Sequence, residues 1–223
     1  MCLAIIRFQT HILTAGSVAM MIPLSDAKQV THPMPESKSR LTSLQLETLT
    51  QDQRAVYDAI NRPPRGQLGF NGPYAAYVKA PRIGGPAQAL GAAVRFDTAC
   101  PENFKKIASC IVGQFYQAKF EFAAQTPYAL KAGLSPSVVD ALRAGERPAF
   151  DTPDEDLIYD FCRQLVHTRH VEDDTYARAR ELIGETQLVE LVATIAYYTT
   201  VCITLNAFDI PLAPGMTDPF PDT

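Results

Sequence analysis

Apolar residues recur every three or four positions through a long central segment of this chain. The spacing holds from just after Pro101 to Phe122, and Gly133 is the strong stop signal beyond it. Residues three and four apart share one face of an α-helix, so the pattern predicts a continuous amphipathic helix over 101–133. Its predicted core-facing positions are Phe104, Ile107, Ala108, Ile111, Phe115, Ala118 and Phe122.

Capping signals divide the rest of the chain into further helices. Thr50 and Thr152 are each followed three residues later by Gln or Glu, the pattern of a full capping box. Pro136 and Pro153 directly follow a Ser or Thr, which is the favoured order at a helix start. No segment alternates as a strand would, so we predict an all-α fold of about seven helices in one domain. The further helices are predicted over 53–60, 74–79, 83–96, 137–143, 153–167, 174–183 and 186–208.

Proline and glycine mark the borders of the predicted domain. Residues 31–38 have the composition of a linker, and 61–73 holds three prolines and three glycines, which predicts a long loop. We therefore predict a poorly ordered extension over 1–39, a folded domain over 40–214 and an irregular tail over 215–223. Loops of this length inside a domain are often functional.

Membrane insertion is not predicted. The most apolar segment, 188–208, is interrupted by Glu190, four threonines and Asn206, and it reads instead as a helix buried at the centre of the domain. The first 28 residues hold a single acidic residue, which leaves a weak possibility of organelle targeting. The expected location is the cytoplasm.

Charge and cysteine content exclude further classes of function. The net charge is −4 and no Lys/Arg run is interleaved with aromatics, so no nucleic-acid partner is predicted. The five cysteines are widely spaced without a CxxC pair, so neither a zinc pair nor a dithiol motif is present. Cys110 and Cys202 lie within apolar helical patterns and are predicted to be packing thiols. His167 and His170 are three apart near a helix end, where favourable interaction with the helix dipole explains them better than a metal.

One polar strip borders the apolar face of the central helix. Gln114, Ala118, Glu121 and Gln125 follow one another at helical steps. A carboxylate beside an apolar stripe loses part of its water, which raises its pKa and suits Glu121 to acid or base chemistry. The alternative is an ordinary solvated helix edge.

Three separated segments resemble one protein family in order and spacing. They are Gly72-Pro73-Tyr74 with the later Ala80-Pro81, the run FEFAAQ-TPYALKAGLS over 120–135, and QLVELV followed by a tyrosine and LNAF over 187–208. Over about 40–214 the chain resembles the carboxymuconolactone decarboxylase-like proteins, which share their all-helical fold with the alkylhydroperoxidase D-like proteins. The resemblance implies that fold and assembly as a trimer or larger homo-oligomer.

The chain departs from this family at its reactive positions. Redox-active members carry a CxxC whose second cysteine lies four residues before a histidine, and these three places hold Ala118, Glu121 and Gln125 here. Thiol peroxidase chemistry of that kind therefore has no nucleophile. The decarboxylase-like branch has a glutamate at the place of the second cysteine, as this chain does with Glu121. At the histidine place this chain has Gln125, which cannot titrate as the family histidine does. Family members often have a glutamate 19 residues before that histidine, and the corresponding position in this chain holds Lys106.

Lys106 and Glu121 cannot meet within one straight helix, because fifteen residues span about 22 Å. They can meet if the helix breaks, for instance near Gly113, or if a neighbouring subunit supplies one of them. The alternative for Lys106 is an ordinary exposed lysine.

The resemblance implies a lyase that needs neither metal nor cofactor and acts on a small molecule, a carboxylated lactone or a related enolisable acid. Glu121 would donate or accept the proton, Lys106 would neutralise a carboxylate or enolate, and Gln125 would orient the substrate or Glu121. A peroxidase-like redox protein and a non-catalytic binding or scaffold protein are the alternatives. Packing or turn formation are the competing roles for the candidate substrate-binding residues, which are Asn71, Tyr116, Phe122, Tyr128, Tyr198 and Asn206.

Overall fold

Helices make up the whole regular structure of the part of the chain that can be described. The computed structural model describes residues 39–221, and within that range it holds eight α-helices, a short 3-10 helix at Leu46–Thr48 and no strand. The prediction of an all-α fold is confirmed. The helices are α1 Gln51–Ile60, α2 Tyr74–Lys79, α3 Pro81–Phe96, α4 Glu102–Phe115, α5 Lys119–Lys131, α6 Pro136–Ala144, α7 Pro153–Thr168 and α8 Asp173–Ala207.

Helix α4 is the central element, because α5, α6, α7 and α8 all pack against it. Ten of its fourteen residues are buried, among them Lys105 and Lys106. The members of the predicted apolar stripe that lie on α4 form its core face, with one exception. Phe115 is 42% exposed and meets the ring of His167 edge-on at the protein surface.

The prediction of one continuous helix over 101–133 was wrong, because the chain turns after Phe115. The amides of Gln117 and Ala118 donate to the carbonyls of Gln114 and Gly113, and Gln117 has a left-handed φ of +49°. These are the two hydrogen bonds of a Schellman motif, with Gln117 in the place where glycine is usual. Without that glycine the sequence carried no stop signal.

A glycine does interrupt the last long helix where the sequence predicted a boundary. Gly184 has φ +77° and ψ 164°, which is not helical, and α8 changes direction there. The predicted central burial of 186–208 holds for only one face, since Val189 is 64% and Ile203 50% exposed. By length and composition alone α8 holds an 18-residue stretch apolar enough to cross a membrane, and half of that stretch is buried inside the protein, as in a core helix.

The two predicted capping boxes differ in the structure. At the start of α1 both reciprocal hydrogen bonds between Thr50 and Gln53 are present. At α7 only half of the motif forms, because the Glu155 carboxylate accepts a hydrogen bond from the Asn103 side chain at 2.9 Å. Glu155 thereby ties α7 to α4 and does not cap its own helix.

The loop over 61–73 and the tail after α8 are held against the helices by specific contacts. The Asn61 carboxamide oxygen accepts from the amides of Leu68 and Gly69 at 2.8 and 2.6 Å. In the tail, Asp218 pairs with Lys119 at 2.9 Å. Apart from Ser39, the predicted extension over 1–39 lies outside the described residues.

Candidate active site

The loop, the tail and helices α2, α3, α5, α6 and α8 enclose a cavity of about 710 Å³ with mostly apolar walls. A volume of this size suits a small organic ligand. The 61–73 loop contributes Asn71, and the tail contributes Gly215 to Pro219. The cavity is therefore closed in part by segments without regular structure.

Glu121 lies on the wall of this cavity in the first turn of α5 and is only 4% exposed. Burial raises the pKa of its carboxyl group, while the hydrogen bond from Gln125 and the charges of Arg95 and Lys106 oppose the rise. The alternative of a solvated helix edge is excluded for Glu121 by this burial.

Gln125, one turn further along α5, connects Glu121 to Lys106. Its amide nitrogen donates to Glu121 Oε1 at 2.7 Å, and its carbonyl oxygen accepts from Lys106 Nζ at 3.1 Å. An ammonium group can only donate, so Lys106 holds the carbonyl of Gln125 toward itself and the amide nitrogen toward Glu121. Glu121 Oε1 is thereby an acceptor, and a proton on the carboxyl group belongs on Oε2.

Lys106 reaches this network because the chain turns between α4 and α5. Of the two predicted routes, a break in the helix is the one that brings it to Gln125, and the break lies just beyond Gly113, at Tyr116 to Ala118. Lys106 is 4% exposed, so the alternative of an exposed lysine is excluded. Its ammonium also contacts Glu102 at 3.1 Å and is not among the groups that line the cavity.

The predicted substrate-binding residues separate into two groups. Asn71, Phe122, Tyr128 and Tyr198 line the cavity, and the Tyr198 hydroxyl lies 3.5 Å from the Gln125 carbonyl oxygen. Tyr116 and Asn206 lie outside its lining, and the Asn206 side chain donates to the Tyr116 carbonyl at 2.7 Å. This second pair secures the turn between α4 and α5.

Gln114 does not continue the predicted strip with Glu121. The strip required one straight helix, and Gln114 stays on α4 while Glu121 and Gln125 lie on α5. Its carboxamide nitrogen faces Gly145 at the end of α6, where an added Cβ would lie 2.6 Å away.

The polar lining residues that the sequence analysis missed include Arg95, Tyr74 and Tyr197. Arg95 follows the buried positions Gly84, Gln88 and Gly91 of α3 at helical spacing. A periodicity analysis of 83–96 that continued to this arginine would have placed it on the inward face. Gly91 makes room for the Tyr197 hydroxyl, since a Cβ there would lie 2.2 Å from it.

Cysteine chemistry has little support among the described residues. Cys100, Cys110, Cys162 and Cys202 are all free and buried. Burial raises the pKa of Cys100 and Cys110 to about 12, and it raises the pKa of the other two as well. The prediction that Cys110 and Cys202 pack in the core is confirmed.

No group of three or more His, Cys, Asp or Glu side chains within residues 39–221 is arranged to hold a metal ion. His167 contacts the ring of Phe115, with the ring centroids 4.9 Å apart. Burial and the charge of Arg163 lower the pKa of His167.

Two solved structures share this architecture. The alkylhydroperoxidase AhpD core of an uncharacterized peroxidase-related protein from Ralstonia eutropha JMP134 aligns with a TM-score of 0.64 and 15% identity, over 79% of this chain and 93% of that one. An uncharacterized peroxidase-related protein from Silicibacter sp. TM1040 aligns with a TM-score of 0.63 and 9% identity, over 84% of this chain and 97% of that one. The fold is therefore alkylhydroperoxidase D-like, as the resemblance implied.

No protein-family model matches the chain. No curated protein matches its sequence. At 9 and 15% identity, the similarity to the two structures extends to the fold and not to the activity.

Proposed function

We propose that this chain is an acid–base enzyme of lyase type, in which Glu121 moves a proton to or from a carbon atom of an enolisable small-molecule acid. The single observation that carries the proposal is the Glu121 carboxyl group, buried on the wall of a mostly apolar cavity. Burial raises its pKa toward neutral pH, where a carboxyl group is effective as either a proton donor or an acceptor.

Two reactions fit this group. In proton transfer, Glu121 takes a proton from the carbon beside a carbonyl, the C–H electron pair forms the enolate, and the proton returns to another position. In decarboxylation, the electron pair of the breaking C–C bond forms the enolate, CO2 leaves, and protonated Glu121 delivers its proton to the carbon. The resemblance to the decarboxylase-like proteins favours a carboxylated lactone as the substrate.

Gln125 and Lys106 act as positioning residues in this proposal. Because Lys106 fixes the Gln125 amide, one oxygen of Glu121 is occupied by a donor and the other is available to the substrate. Lys106 acts through Gln125, since the Lys106 side chain is not part of the cavity lining.

A screen in D2O tests the proposal. Cyclic and acyclic keto acids and carboxylated γ-lactones are incubated with the wild-type protein, with loss of the α-proton followed by NMR and CO2 by a coupled assay. We expect catalysed exchange or CO2 release for at least one acid. Failure of every compound to react above the rate without protein would contradict the proposal.

Lys106→Met is expected to raise the pKa of Glu121. The substitution removes a positive charge that lowers this pKa. It also frees the Gln125 amide to turn its carbonyl oxygen toward Glu121, and only a protonated carboxyl group can donate a hydrogen bond to that oxygen. Both effects favour the neutral acid. NMR titration of the ¹³C-labelled Glu121 carboxyl should show a midpoint at higher pH than in the wild type.

Lys105→Met is the matched control for this titration. Lys105 is as buried as Lys106 and also pairs with Glu102, but its ammonium contacts Val94 and Thr98 and not Gln125. The Glu121 midpoint should stay near its wild-type value. An equal shift in both variants would refute the positioning role of Lys106.

Native labelling with N-ethylmaleimide separates this proposal from a thiol peroxidase. The four described cysteines are buried with raised pKa values, so peptide mapping should find them unlabelled after an exposure that labels free glutathione completely. Activity in the D2O screen should be unchanged. Rapid labelling of any of the four with loss of activity would favour the redox alternative.

A scaffold protein was expected to lack a cavity in which Glu121 faces a second polar group. The cavity with Glu121, Gln125 and Tyr198 on its wall supports a ligand-binding function over that alternative. Homo-oligomer formation is also a proposal, supported by exposed apolar side chains such as Ile83 and Val189.

A further inference from the structure

The cavity contains one positive charge that the protein does not balance with an ion pair. Arg95 lines the cavity, and within residues 39–221 no carboxylate lies within ion-pair distance of its guanidinium. Arg143 and Asp140, which also line the cavity, pair with each other at 3.3 Å, and Asp218 pairs with Lys119 at 2.9 Å. A half-buried cation in an apolar cavity attracts an anion from outside the protein.

Aromatic groups hold the Arg95 guanidinium in place. Its central carbon lies 5.7 Å from the ring centroid of Tyr128 and 5.2 Å from that of Phe96, both cation–π distances. Tyr198 and Tyr74 also line the cavity. Stacking of this kind leaves the edge of a guanidinium open, and that edge is what binds a carboxylate through two parallel hydrogen bonds.

We propose that Arg95 binds the carboxylate of a monoanionic ring compound, with the ring on the apolar wall and the anion on the α3 side of the cavity. A single unbalanced cation suits one negative charge, and the nearby Glu121 disfavours a dianion. The inference that Arg95 binds a carboxylate depends only on the position and contacts of Arg95. The inference that this carboxylate belongs to the substrate rests on the proposed function.

The orientation of the bound acid follows from the positions of the two charged groups. With the carboxylate on Arg95, the ring extends into the cavity that Glu121 also lines. A ring carbon, and not the anchored carboxylate, is then the part of the ligand that can reach the acid. Arg95 would be the residue that selects acids over neutral compounds of the same shape.

Benzoate, cyclohexanecarboxylate, benzamide and phenyl phosphate are the probes for the test, with affinities from NMR chemical-shift titration. The wild-type protein should bind the two carboxylates about tenfold more tightly than benzamide or phenyl phosphate. Arg95→Met should weaken carboxylate binding by about tenfold, and Arg95→Lys by less, because lysine keeps the charge without the planar pair of donors.

Arg143→Met is the matched control, because Arg143 also lines the cavity but is already paired with Asp140. It should change the benzoate affinity by less than about twofold. Benzamide binding as tightly as benzoate, or an equal loss in the two arginine variants, would overturn the inference. So would the absence of saturable carboxylate binding to the wild type. The acid–amide comparison on the wild type does not depend on the variants folding.

Glu121→Gln separates this inference from the proposed function. The variant should lose proton transfer and keep benzoate binding, since Arg95 is intact and a negative charge has been removed. Benzoate binding through Arg95 in a protein that fails the D2O screen would leave this inference standing and remove the lyase. Catalysed proton transfer without a preference for carboxylates over neutral compounds would support the lyase and remove the inference about Arg95.

Discussion

Glu121→Gln is expected to reduce turnover by about 10²- to 10⁴-fold while stabilising the folded protein at neutral pH. The loss of turnover follows because an amide can neither accept nor deliver the proton. The fold should be preserved, because the new carbonyl oxygen can accept the hydrogen bond that Gln125 Nε2 donates to Glu121 Oε1. Rates come from the D2O screen and stability from thermal unfolding.

The effect on stability has a defined dependence on pH. The pKa of Glu121 is raised in the folded protein, so the stability associated with its neutral form is fully present below the unfolded-state pKa. That stability is lost as the pH rises through the folded-state pKa, at about 1.4 kcal/mol for each unit between the two pKa values. The advantage of Glu121→Gln should therefore be largest at neutral to alkaline pH and shrink toward pH 4.

Glu181→Gln provides the control, because Glu181 is an exposed carboxylate on α8. Its stability should stay within about 0.5 kcal/mol of the wild type at every pH. If Glu121→Gln had the same flat profile, Glu121 would not be a dehydrated acid. If turnover survived the substitution, the assignment of the proton-transfer group would be wrong.

Local signals in the sequence predicted most helices, because prolines, glycines and capping residues mark the residues at which a helix begins and ends. The turn between α4 and α5 escaped this reasoning because Gln117 takes the left-handed position without being glycine. Besides its local hydrogen bonds, the turn is stabilised by Asn206, which donates to the Tyr116 carbonyl 90 residues away in the chain. A contact between residues so far apart in the chain cannot be predicted from the residues around the turn.

The candidate site was predictable in part for the same reason. Glu121 and Gln125 are four apart on one helix, so their hydrogen bond follows from the spacing alone. The approach of Lys106 depended on the unpredicted turn. Arg95 belongs to a different helix, and the packing of α3 against α2 and α8 brings it to the same cavity as Glu121.

Gly84→Ala is expected to destabilise the protein strongly, whereas Gly85→Ala, one residue further on, should change its stability far less. A Cβ at Gly84 would lie 2.0 Å from the backbone carbonyl oxygen of Tyr77, where α2 and α3 are in contact. Neither backbone can move without separating the helices, so the loss should reach or exceed about 3 kcal/mol. For a chain of this size that is a fall in melting temperature of roughly 6–12 °C.

Gly85 is in the same helix but has space around it on the side of the neighbouring helices. The nearest atom to a Cβ there is a Val56 methyl at 3.8 Å, an ordinary contact distance. Alanine should gain about 0.5–1 kcal/mol from its better helix propensity, but the ring of Pro86, the next residue in α3, disfavours a helical alanine before it, so the net change should stay within about 1 kcal/mol. A large difference between two adjacent substitutions would establish that contact with α2, and not helix propensity, determines the residue at 84.

The same contact sets the position of the proposed anion-binding group. Gly84 and Arg95 lie on the same inward face of α3, and α2 carries Tyr74, which also lines the cavity. Forcing α2 and α3 apart should therefore weaken benzoate binding in Gly84→Ala under conditions where the variant is still folded. Unchanged affinity in a destabilised variant would mean that the position of Arg95 is set by α8 and not by its packing on α2.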